Sequence, residues 1–566
     1  MNSLTMNAII KKIPQRCRLT MATAGVVGII AYAYAFLNPI FFHDGSGLAM
    51  PYGWEYVYAG SMRMTWLTSV WNILQAGAQV PWFAGLISLT LYGLSAYFVC
   101  EALEIKSEIC AVLTTGVMTI TPALISSHVY GAGGVPYTIS LFFASLAAWS
   151  FFSKRKYHYI LFCISVMITV ATYTNYISWT AVVFLIRQIR DLLKGKKGCK
   201  KIWTENGIAV LLTSAVMGIN MAVCGILISI SKMEFQDRVT SLWQNGSSER
   251  LNFARASLHM IIKEFLPPSL VDKLGREPYF YSLFTKNRFM AVLFYVAVIF
   301  TFIYLVEYIR KNKNRLQLTI QLFIHLVMLF FSMDILTYVT NSHVLMQFGH
   351  IAPWILMLIL LEDFADSVLI EKRNGIIQGG KKWELCGGIR RKLYIGSVII
   401  LCIYTIISNC LMANVGYMRG ETNFRAGLLL MERIVVRMES IDGYVPGQTG
   451  VYFLGHLADY GNAPMDAFDF AEGLTGISVT GAYTHEYSFQ TFLDEHTGAN
   501  VCYAAPPQFY RIEAKDAFDY LNEANEGQFS GFEDEFIEKY NGIENFPSTN
   551  NYFWFHGILV FKLRVV

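Results

Sequence analysis

Long apolar runs separated by short polar loops fill most of the first 414 positions. A membrane-spanning helix needs about 20 mostly apolar residues, and eleven stretches fit that description. They are 20–42, 80–103, 108–126, 133–152, 157–172, 173–190, 205–231, 288–309, 317–337, 344–362 and 394–414. We interpret 157–172 and 173–190 as two short helices that turn at residues 172–175, because one helix across both is too long for a bilayer.

Two longer polar stretches interrupt this pattern. In 232–287, apolar residues recur at helical spacing between 251 and 265 with basic residues interleaved, which predicts an amphipathic helix on the bilayer surface. The other stretch, 415–566, has short apolar runs bounded by turn residues, at 450–454, 500–504 and 558–563, which predict strands. Helices are expected in the same stretch at 424–441 and 515–525. The pattern predicts an all-α membrane core over 1–414 and a small α/β domain over 415–566.

The distribution of Lys and Arg predicts the orientation of the core. Alternate short loops and the N-terminus hold 26 basic residues, whereas the loops between them hold one, Arg63. Cytoplasmic loops carry an excess of Lys and Arg. Eleven spans with the N-terminus inside and the C-terminus outside satisfy this rule, and the segments 232–287 and 415–566 are then extracytoplasmic.

Composition supports a membrane protein and excludes other classes. Hydrophobic residues make up 54% of the chain, the mean hydropathy is +0.40, and only 15% of residues are charged. A soluble domain has roughly 25% charged residues, and a disordered chain has low hydrophobicity with high net charge. The net charge of +4 is too small to indicate nucleic-acid binding.

The cysteines suggest neither disulfides nor a zinc site. Ten are present, with no CxxC pair. Cys502 alone falls in the predicted outer domain, where an exposed thiol is a liability, so we expect it to be buried.

The first apolar run is longer than a cleaved signal and lacks an A-x-A site, and we expect it to be retained.

Three polar residues near the first outer loop are candidates for chemistry. Asp44 follows the first span beside glycines and could act as a general base at headgroup level, although an Asp also commonly starts an exposed turn. Glu55 could be a second carboxylate or simply solvated. Arg63 could bind phosphate with two parallel hydrogen bonds, or could reach the interface as a snorkelling side chain.

Further polar residues fall at the predicted outer ends of spans. Each alone is more often an interface anchor or a packed polar group, but their convergence on one face would make a site. They are His128, Tyr130, Tyr173, Asn175, Tyr176, His343, Gln347 and His350.

Common catalytic motifs are missing from the sequence. It contains no P-loop, no GxGxxG after a strand, no DxD, no HExxH and no GxSxG. Charged residues within spans are few, and Asp334 is the clearest. Transporters usually carry more charge within the membrane, with broken helices and repeats.

Several short motifs resemble those of a known family. They are Asn38-Pro39, His43-Asp44, Ser61-Met62-Arg63, the turn Tyr173–Tyr176, and the strand Ile558–Leu563 after Phe546-Pro547. In these motifs and in its layout the chain resembles the serotype-conversion glucosyltransferases of Gtr type II, in the GT-C class of membrane glycosyltransferases. It has a single aspartate where many relatives pair two acidic residues, and Met346–His350 lacks an arginine.

The resemblance implies a function and a location. The donor would be a polyprenyl-phosphate hexose, with glucose expected, and the acceptor a cell-surface glycan such as O-antigen, on the outer side of a bacterial cytoplasmic membrane. Asp44 would deprotonate the acceptor hydroxyl, and the lipid phosphate would leave with inversion, stabilised by Arg63. Lys562 and His43 are further candidates for substrate contact. No cofactor is implied beyond the lipid-linked donor, and a divalent metal stays open.

Two other functions are compatible with the sequence. A lipid-linked glycan flippase or exporter would also have many spans and basic inner loops, but it predicts charged residues deep in the bundle. A non-catalytic membrane scaffold whose outer domain binds glycan is the third possibility. Radiolabelled sugar transfer by the purified protein distinguishes the three.

The charge asymmetry makes a direct prediction about topology. Reporter fusions after residues 155, 195, 313 and 382 should report the cytoplasm, and fusions after 45, 245 and 450 should report the outside. An outside result at 195 would contradict the two-helix interpretation of 157–190.

Overall fold

The computed structural model describes most of the chain. The described residues are 13–38, 40, 53–78, 80–153, 155–235, 288–311, 314–335, 344–373, 381–455, 486–509 and 513–563, with part of 251–266.

The described chain up to residue 439 is helical. Its helices are α1 (Gln15–Leu37), α2 (Trp54–Met62), α3 (Trp66–Leu74), α4 (Pro81–Ala102), α5 (Glu108–Thr119), α6 (Pro122–Ser127), α7 (Val135–Phe152), α8 (His158–Tyr173), α9 (Ile177–Leu193), α10 (Cys199–Ser231), α11 (Arg288–Lys311), α12 (Arg315–Ser332), α13 (Ala352–Arg373) and α14 (Lys381–Glu439). Three 3-10 segments interrupt them, at His128–Gly134, Thr174–Tyr176 and Val344–Ile351.

Nine helical segments of the described chain are long and apolar enough to cross a membrane, or ten if the bent pair α5–α6 counts as one span. The predicted helical membrane architecture is therefore confirmed in outline. The total of eleven crossings stays a prediction.

The stretch 158–193 is folded back on itself at Thr174–Tyr176. The ring of Phe151 in α7 lies 5.3 Å from Phe162 in α8 and 4.9 Å from Phe184 in α9. A straight helix would separate Phe162 and Phe184 by about 33 Å, at 1.5 Å per residue. The contacts therefore require two helices that run in opposite directions, as the sequence suggested.

Helix α1 lies five residues earlier than its predicted span of 20–42. It ends at Leu37, because Pro39 disfavours helical backbone at Asn38. Its first turn is fixed by side-chain contacts to neighbouring helices. Arg16 Nη1 lies 2.5 Å from Glu101 Oε1, and Gln15 Nε2 donates to Glu108 Oε1 at 2.7 Å.

A buried ion-pair cluster holds the loops at this end of the bundle, which we call the basic end. Arg190, 1% exposed at its side chain, donates through Nε to both carboxylate oxygens of Asp363 at 2.9 and 3.1 Å. It also donates to the carbonyl of Leu103. Glu362 accepts the backbone N–H of Ser107 at 2.9 Å. Helices α9 and α13 are thereby fixed to the loop between α4 and α5.

A second group of charges extends the cluster. Arg187 Nη2 donates to Glu104 Oε1 at 2.7 Å, and Lys196 also pairs with Glu104. Burial alone would raise the pKa of Glu104, but the hydrogen bond from Lys196 and the charge of Arg187 lower that pKa to about 2. Lys197 Nζ reaches Asp191 at 3.0 Å. Most of the cations in this predicted inner loop therefore contact carboxylates.

The long helix α14 joins the membrane core to a C-terminal α/β unit without a break at residue 415. The unit contains a four-stranded sheet in the order β2-β1-β4-β3, antiparallel only between β3 and β4. The strands are β1 (Gly450–Leu454), β2 (Cys502–Tyr503), β3 (Tyr552–Phe555) and β4 (Ile558–Lys562). The described residues of the unit also form three α-helices, α15 (Glu486–Thr491), α16 (Ala514–Ala524) and α17 (Glu533–Asn541), with a π-helical turn at Phe492–His496 after α15.

The sheet is covered on both faces. Phe424, Met431 and Met438 of α14 pack with Phe453 on one face, and Phe518 and Phe536 of α16 and α17 pack with Phe555 on the other. The predicted α/β character is confirmed, although β3, α15 and α17 are not among the predicted elements.

The expectation that Cys502 is buried was wrong. Cys502 is exposed, and it lies on the edge strand β2. Its neighbour Tyr503 faces Phe453, with 6.2 Å between ring centroids. Because side chains alternate along a strand, Cys502 points to the other side, where the sheet edge leaves it uncovered.

The amphipathic segment at 251–265 is helical at its described positions 251–252, 255, 258 and 262–263. Leu251 and Ile262 are exposed, whereas Lys263 is buried. Phe265 stacks on Phe294, with ring centroids 5.9 Å apart. This end of the segment therefore packs on the bundle, and Lys263 does not lie on a solvated face as its spacing suggested.

The ion-pair cluster predicts a large loss of stability when Arg190 is removed. Arg190→Met keeps roughly the volume but removes the cation that contacts the buried Glu362 and Asp363, of which Asp363 retains Lys194. Breaking a buried ion pair in this way costs about 3–5 kcal/mol. Thermal unfolding of the purified protein in detergent measures the effect. Lys515→Met is the matched control, because Lys515 pairs with Glu533 in an exposed position, and it should leave the unfolding temperature unchanged. Equal effects of the two variants would contradict a structural role for the cluster.

Candidate functional site

Three helix breaks converge at the end of the bundle opposite the basic end. The first is the 43° bend between α5 and α6, followed by the 3-10 segment 128–134. The second is the turn 174–176 between α8 and α9, and the third is the 3-10 segment 344–351 before α13. The segment 344–351 packs against both α6 and the turn 174–176. We call these three segments the break cluster.

A break within a membrane releases backbone carbonyls that must find partners inside the protein. At the bend between α5 and α6, three side chains from other helices act as hydrogen-bond donors to these carbonyls. Tyr32 Oη donates to the Thr119 carbonyl at 2.7 Å, Asn409 Nδ2 to that of Ile120 at 3.0 Å, and Tyr417 Oη to that of Ile125 at 2.8 Å. Pro122 begins α6, where its missing N–H costs nothing. Helices α1 and α14 therefore stabilise the first break.

The turn 174–176 is supported in the same way. Ser140 Oγ donates to the carbonyl of Tyr173 at 2.9 Å, and Thr68 Oγ1 to that of Thr172 at 2.6 Å. Asn175 Nδ2 donates to the Met346 carbonyl at 2.6 Å and so joins the second break to the third. The Asn175 Oδ1 atom and the Tyr173 hydroxyl are buried without a hydrogen-bond partner among the described residues.

The third break lies directly on the C-terminal end of α12. A Cβ atom added to Gly349 would lie 2.2 Å from the carbonyl oxygen of Met333, so only glycine permits this approach. His350 Nε2 lies 4.0 Å from Asp334 Oδ2, and both side chains are buried. The Ile335 N–H donates to Ser178 Oγ at 3.0 Å, which ties the same region to α9.

Aromatic rings connect the first and second breaks. Tyr130 lies 6.0 Å from Tyr137, and Tyr137 lies 4.6 Å from Tyr173 in an edge-on contact. Tyr173 in turn lies 5.6 Å from Tyr176. His128 is buried further inside, with Nε2 3.1 Å from the Tyr92 hydroxyl and its ring 4.4 Å from that of Tyr32. Of the predicted outer polar residues, the described ones are thus brought to one end of the bundle.

The candidate residues near the first outer loop have fewer contacts with the break cluster than the residues described above. Glu55 and Arg63 are exposed, on α2 and at its C-terminal end. Neither side chain forms a hydrogen bond or an ion pair with the described residues. The adjoining helix α3 is held by Trp66 Nε1, which donates to Asn220 Oδ1 at 3.0 Å, and Thr68 connects it to the turn at 172. His43, Asp44 and His343 lie outside the described residues.

Lys562 lies at the end of β4 in the C-terminal unit. Its ammonium group is 4.2 Å from the centre of the Tyr540 ring and 3.4 Å from the Ile543 carbonyl oxygen. Burial lowers the pKa of Lys562. These contacts all belong to its own domain, and its assignment to substrate stays a prediction.

Two features of the site were missed or underrated in the sequence. Tyr32, Asn409 and Tyr417 carry no local sign that they support a break between α5 and α6, although Thr121-Pro122 within an apolar run does indicate the break itself. Asp334 was visible as a charge within an apolar run, but its pairing with His350 depends on the fold. Among the described residues, no group of three or more His, Cys, Asp or Glu side chains could hold a metal ion.

Comparison with known proteins identifies one family. The family model described as Glucosyl transferase GtrII matches residues 33–358, which is more than half of the chain. The match includes all three breaks and ends before α14 and the C-terminal unit. A search of curated proteins gave no match.

The tight contact at Gly349 predicts that the break cluster cannot tolerate a methyl group there. Gly349→Ala should force the 344–351 segment away from α12 and lower both the unfolding temperature and any transfer activity. Gly396→Ala is the control, because a Cβ added at Gly396 of α14 would meet no neighbouring atom within 4 Å outside its own helix turn. Alanine also stabilises a helix by about 1 kcal/mol relative to glycine. Unchanged stability and activity in Gly349→Ala would contradict the packing described for this break.

Proposed function

Because the chain belongs to the glucosyl transferase GtrII family, we propose that it transfers glucose from a polyprenyl-phosphate sugar to a cell-surface glycan such as O-antigen. Family membership and the membrane-length helices identify it as a membrane glucosyltransferase. The donor lipid, the acceptor, the stereochemistry and the side of the membrane are parts of the proposal.

The convergence of the three breaks is the observation that supports this proposal most. Irregular backbone at membrane depth is tolerated where it is buried in protein or lines a cavity, and such breaks often mark substrate sites in membrane proteins. Here they collect hydroxyl, amide, imidazole and carboxylate groups at one end. A donor already anchored in the bilayer by its lipid needs no nucleotide-binding domain, and the chain has no motif for one.

The sidedness follows from the charges. The basic end carries the loops rich in Lys and Arg, and we assign it to the cytoplasm by the positive-inside rule. The break cluster and the C-terminal α/β unit then face the outside of a bacterial cytoplasmic membrane. With α8 and α9 counted separately and α5–α6 as one span, eleven crossings place the N-terminus inside and the C-terminus outside.

The proposed chemistry is a single displacement at C1 of the hexose. Asp44 removes the proton from the acceptor hydroxyl, whose oxygen attacks C1, and the bond from C1 to the lipid phosphate oxygen breaks with inversion. A double displacement would need a protein nucleophile as well. Arg63, exposed at the end of α2, is assigned to the leaving phosphate because its guanidinium can form two parallel hydrogen bonds.

Purified protein in lipid nanodiscs, given radiolabelled polyprenyl-phosphate glucose and a lipid-linked glycan, provides the test. Label should appear in the glycan, with the anomeric configuration opposite to that of the donor. Movement of the lipid across sealed vesicles without any transfer would instead support the flippase alternative, and glycan binding alone would support the scaffold.

Asp44→Asn tests the assignment of the base. The amide keeps the size and the turn-forming hydrogen bond but cannot accept the proton, so transfer should fall roughly 10²–10⁴-fold at unchanged expression. Asp442→Asn, at an exposed position of the C-terminal unit, is the control and should transfer normally. A transfer rate above about half of the wild-type value in Asp44→Asn would exclude the base assignment, and Glu55 would be tested next.

A further inference from the structure

Four polar residues in or beside the break cluster come from three segments that are fixed to one another: the turn 174–176, the C-terminal end of α12, and the 3-10 segment 344–351. Three of them are buried, and Tyr173 is partly buried with a fully buried hydroxyl. We call Tyr173, Asn175, Asp334 and His350 the sugar subsite. We propose that the Tyr173 hydroxyl, Asn175 Oδ1 and the Asp334 carboxylate bind hydroxyl groups of the donor hexose. This inference rests on the proposed transfer from a lipid-linked sugar, and it assigns Asp334 a role that the sequence motifs did not.

Independent contacts hold the three segments together. The amide of Asn175 binds the Met346 carbonyl at 2.6 Å. Gly349 lies directly against the carbonyl of Met333, next to Asp334. The N–H of Ile335, on the other side of Asp334, binds Ser178 at 3.0 Å. The subsite is therefore a property of the packed bundle and does not depend on a single loop.

Two polar atoms of the sugar subsite lack a hydrogen-bond partner in the described part of the chain. The hydroxyl of Tyr173 and Oδ1 of Asn175 are buried and make no hydrogen bond to the described residues. Most buried polar groups are hydrogen-bonded, and each exception calls for an explanation. Here the two exceptions, the Tyr173 hydroxyl and Asn175 Oδ1, lie only two residues apart at the second break. Both are explained if these atoms bind a ligand.

The chemistry of the group favours a sugar over a phosphate. The carboxylate of Asp334 would repel an anionic phosphate, but it accepts hydrogen bonds from hydroxyls, as Asn175 Oδ1 does. The Tyr173 hydroxyl can donate as well as accept. The rings of Tyr137, Tyr173 and Tyr176 provide apolar surface beside these groups. A hexose, with several hydroxyls around a partly apolar ring, matches this combination.

The donor's hexose is favoured over the acceptor glycan because of its tether. The sugar of a polyprenyl-phosphate hexose stays within one phosphate of the bilayer, and the subsite is buried within the helical bundle. The glycan acceptor approaches from the aqueous side. Bare polyprenyl phosphate, which lacks the sugar, therefore serves as the reference ligand.

The test compares the affinity of the full-length protein in nanodiscs for polyprenyl-phosphate glucose and for polyprenyl phosphate. Wild-type protein should bind the glucosylated lipid more tightly. Asp334→Asn should lower this preference by about 10- to 100-fold, because a hydrogen bond to a charged group is lost, and Tyr173→Phe should lower it by about 2- to 10-fold. Affinity for polyprenyl phosphate itself should not change in either variant.

A stability measurement separates binding from folding. Because the Tyr173 hydroxyl has no partner among the described residues, Tyr173→Phe should leave the unfolding temperature of the lipid-free protein unchanged or raised. Asn206→Leu is the matched control, since Asn206 is a buried residue of α10 whose Nδ2 also lacks a partner in the described structure. It should keep the wild-type preference for the glucosylated lipid.

The outcomes distinguish this inference from the proposed function. Wild-type protein that transfers glucose, with variants that keep the full preference for the glucosylated lipid, would overturn the sugar subsite alone. A large loss of stability in Tyr173→Phe would also overturn it, because the hydroxyl would then have a structural role. Equal binding of the two lipids by a wild-type protein that transfers no sugar would contradict both.

Discussion

Backbone hydrogen bonding within the bilayer is the constraint on which this structure depends. In hydrocarbon, a helix that stops releases carbonyl and amide groups that water cannot satisfy, and each unsatisfied group costs several kcal/mol. The chain nevertheless breaks three of its apolar helices at one end of the bundle. It supports the breaks with Tyr32, Asn409 and Tyr417 on one side and with Ser140, Thr68 and Asn175 on the other. Helices far apart in sequence are held together by these contacts, and the polar residues of the candidate site accompany the breaks.

The opposite end of the bundle follows a different principle. There the helices end in loops rich in Lys and Arg, and buried carboxylates such as Glu362 and Asp363 neutralise part of that charge. Arginine suits this role, because its guanidinium group contacts a carboxylate and a backbone carbonyl at once. The molecule thus has one end closed by ion pairs and another in which broken helices gather neutral polar groups beside the buried carboxylate of Asp334. This polarity, together with membership of a glucosyltransferase family, is the reason for placing the chemistry at the break cluster.

The sequence predicted the general architecture well, because the signals were long or local. Apolar runs of about 20 residues located most helices, and the turn at 172–175 was recognised because a single helix across both neighbouring spans would be too long for a bilayer. The strands 450–454 and 558–562 followed from their apolar runs. Prediction failed where tertiary structure decides. The exposure of Cys502 depends on an edge position in the sheet, the burial of Lys263 on docking against the bundle, and the approach of Asp334 to His350 on a glycine contact fifteen positions later in the chain. No local pattern encodes these. The roles of Asp44 and Arg63 still rest on sequence position and family resemblance.

Whether glucosyl transfer takes place at the break cluster can be tested by photocrosslinking. A polyprenyl-phosphate glucose that carries a photoreactive group on the sugar is irradiated with the full-length protein in nanodiscs, and the labelled peptides are identified by mass spectrometry. Label is expected in peptides that contain residues 119–134, 173–178 and 333–351, and unmodified polyprenyl-phosphate glucose should compete with it. Competable label confined to peptides of the basic end, around 103–107 and 187–201, would contradict it.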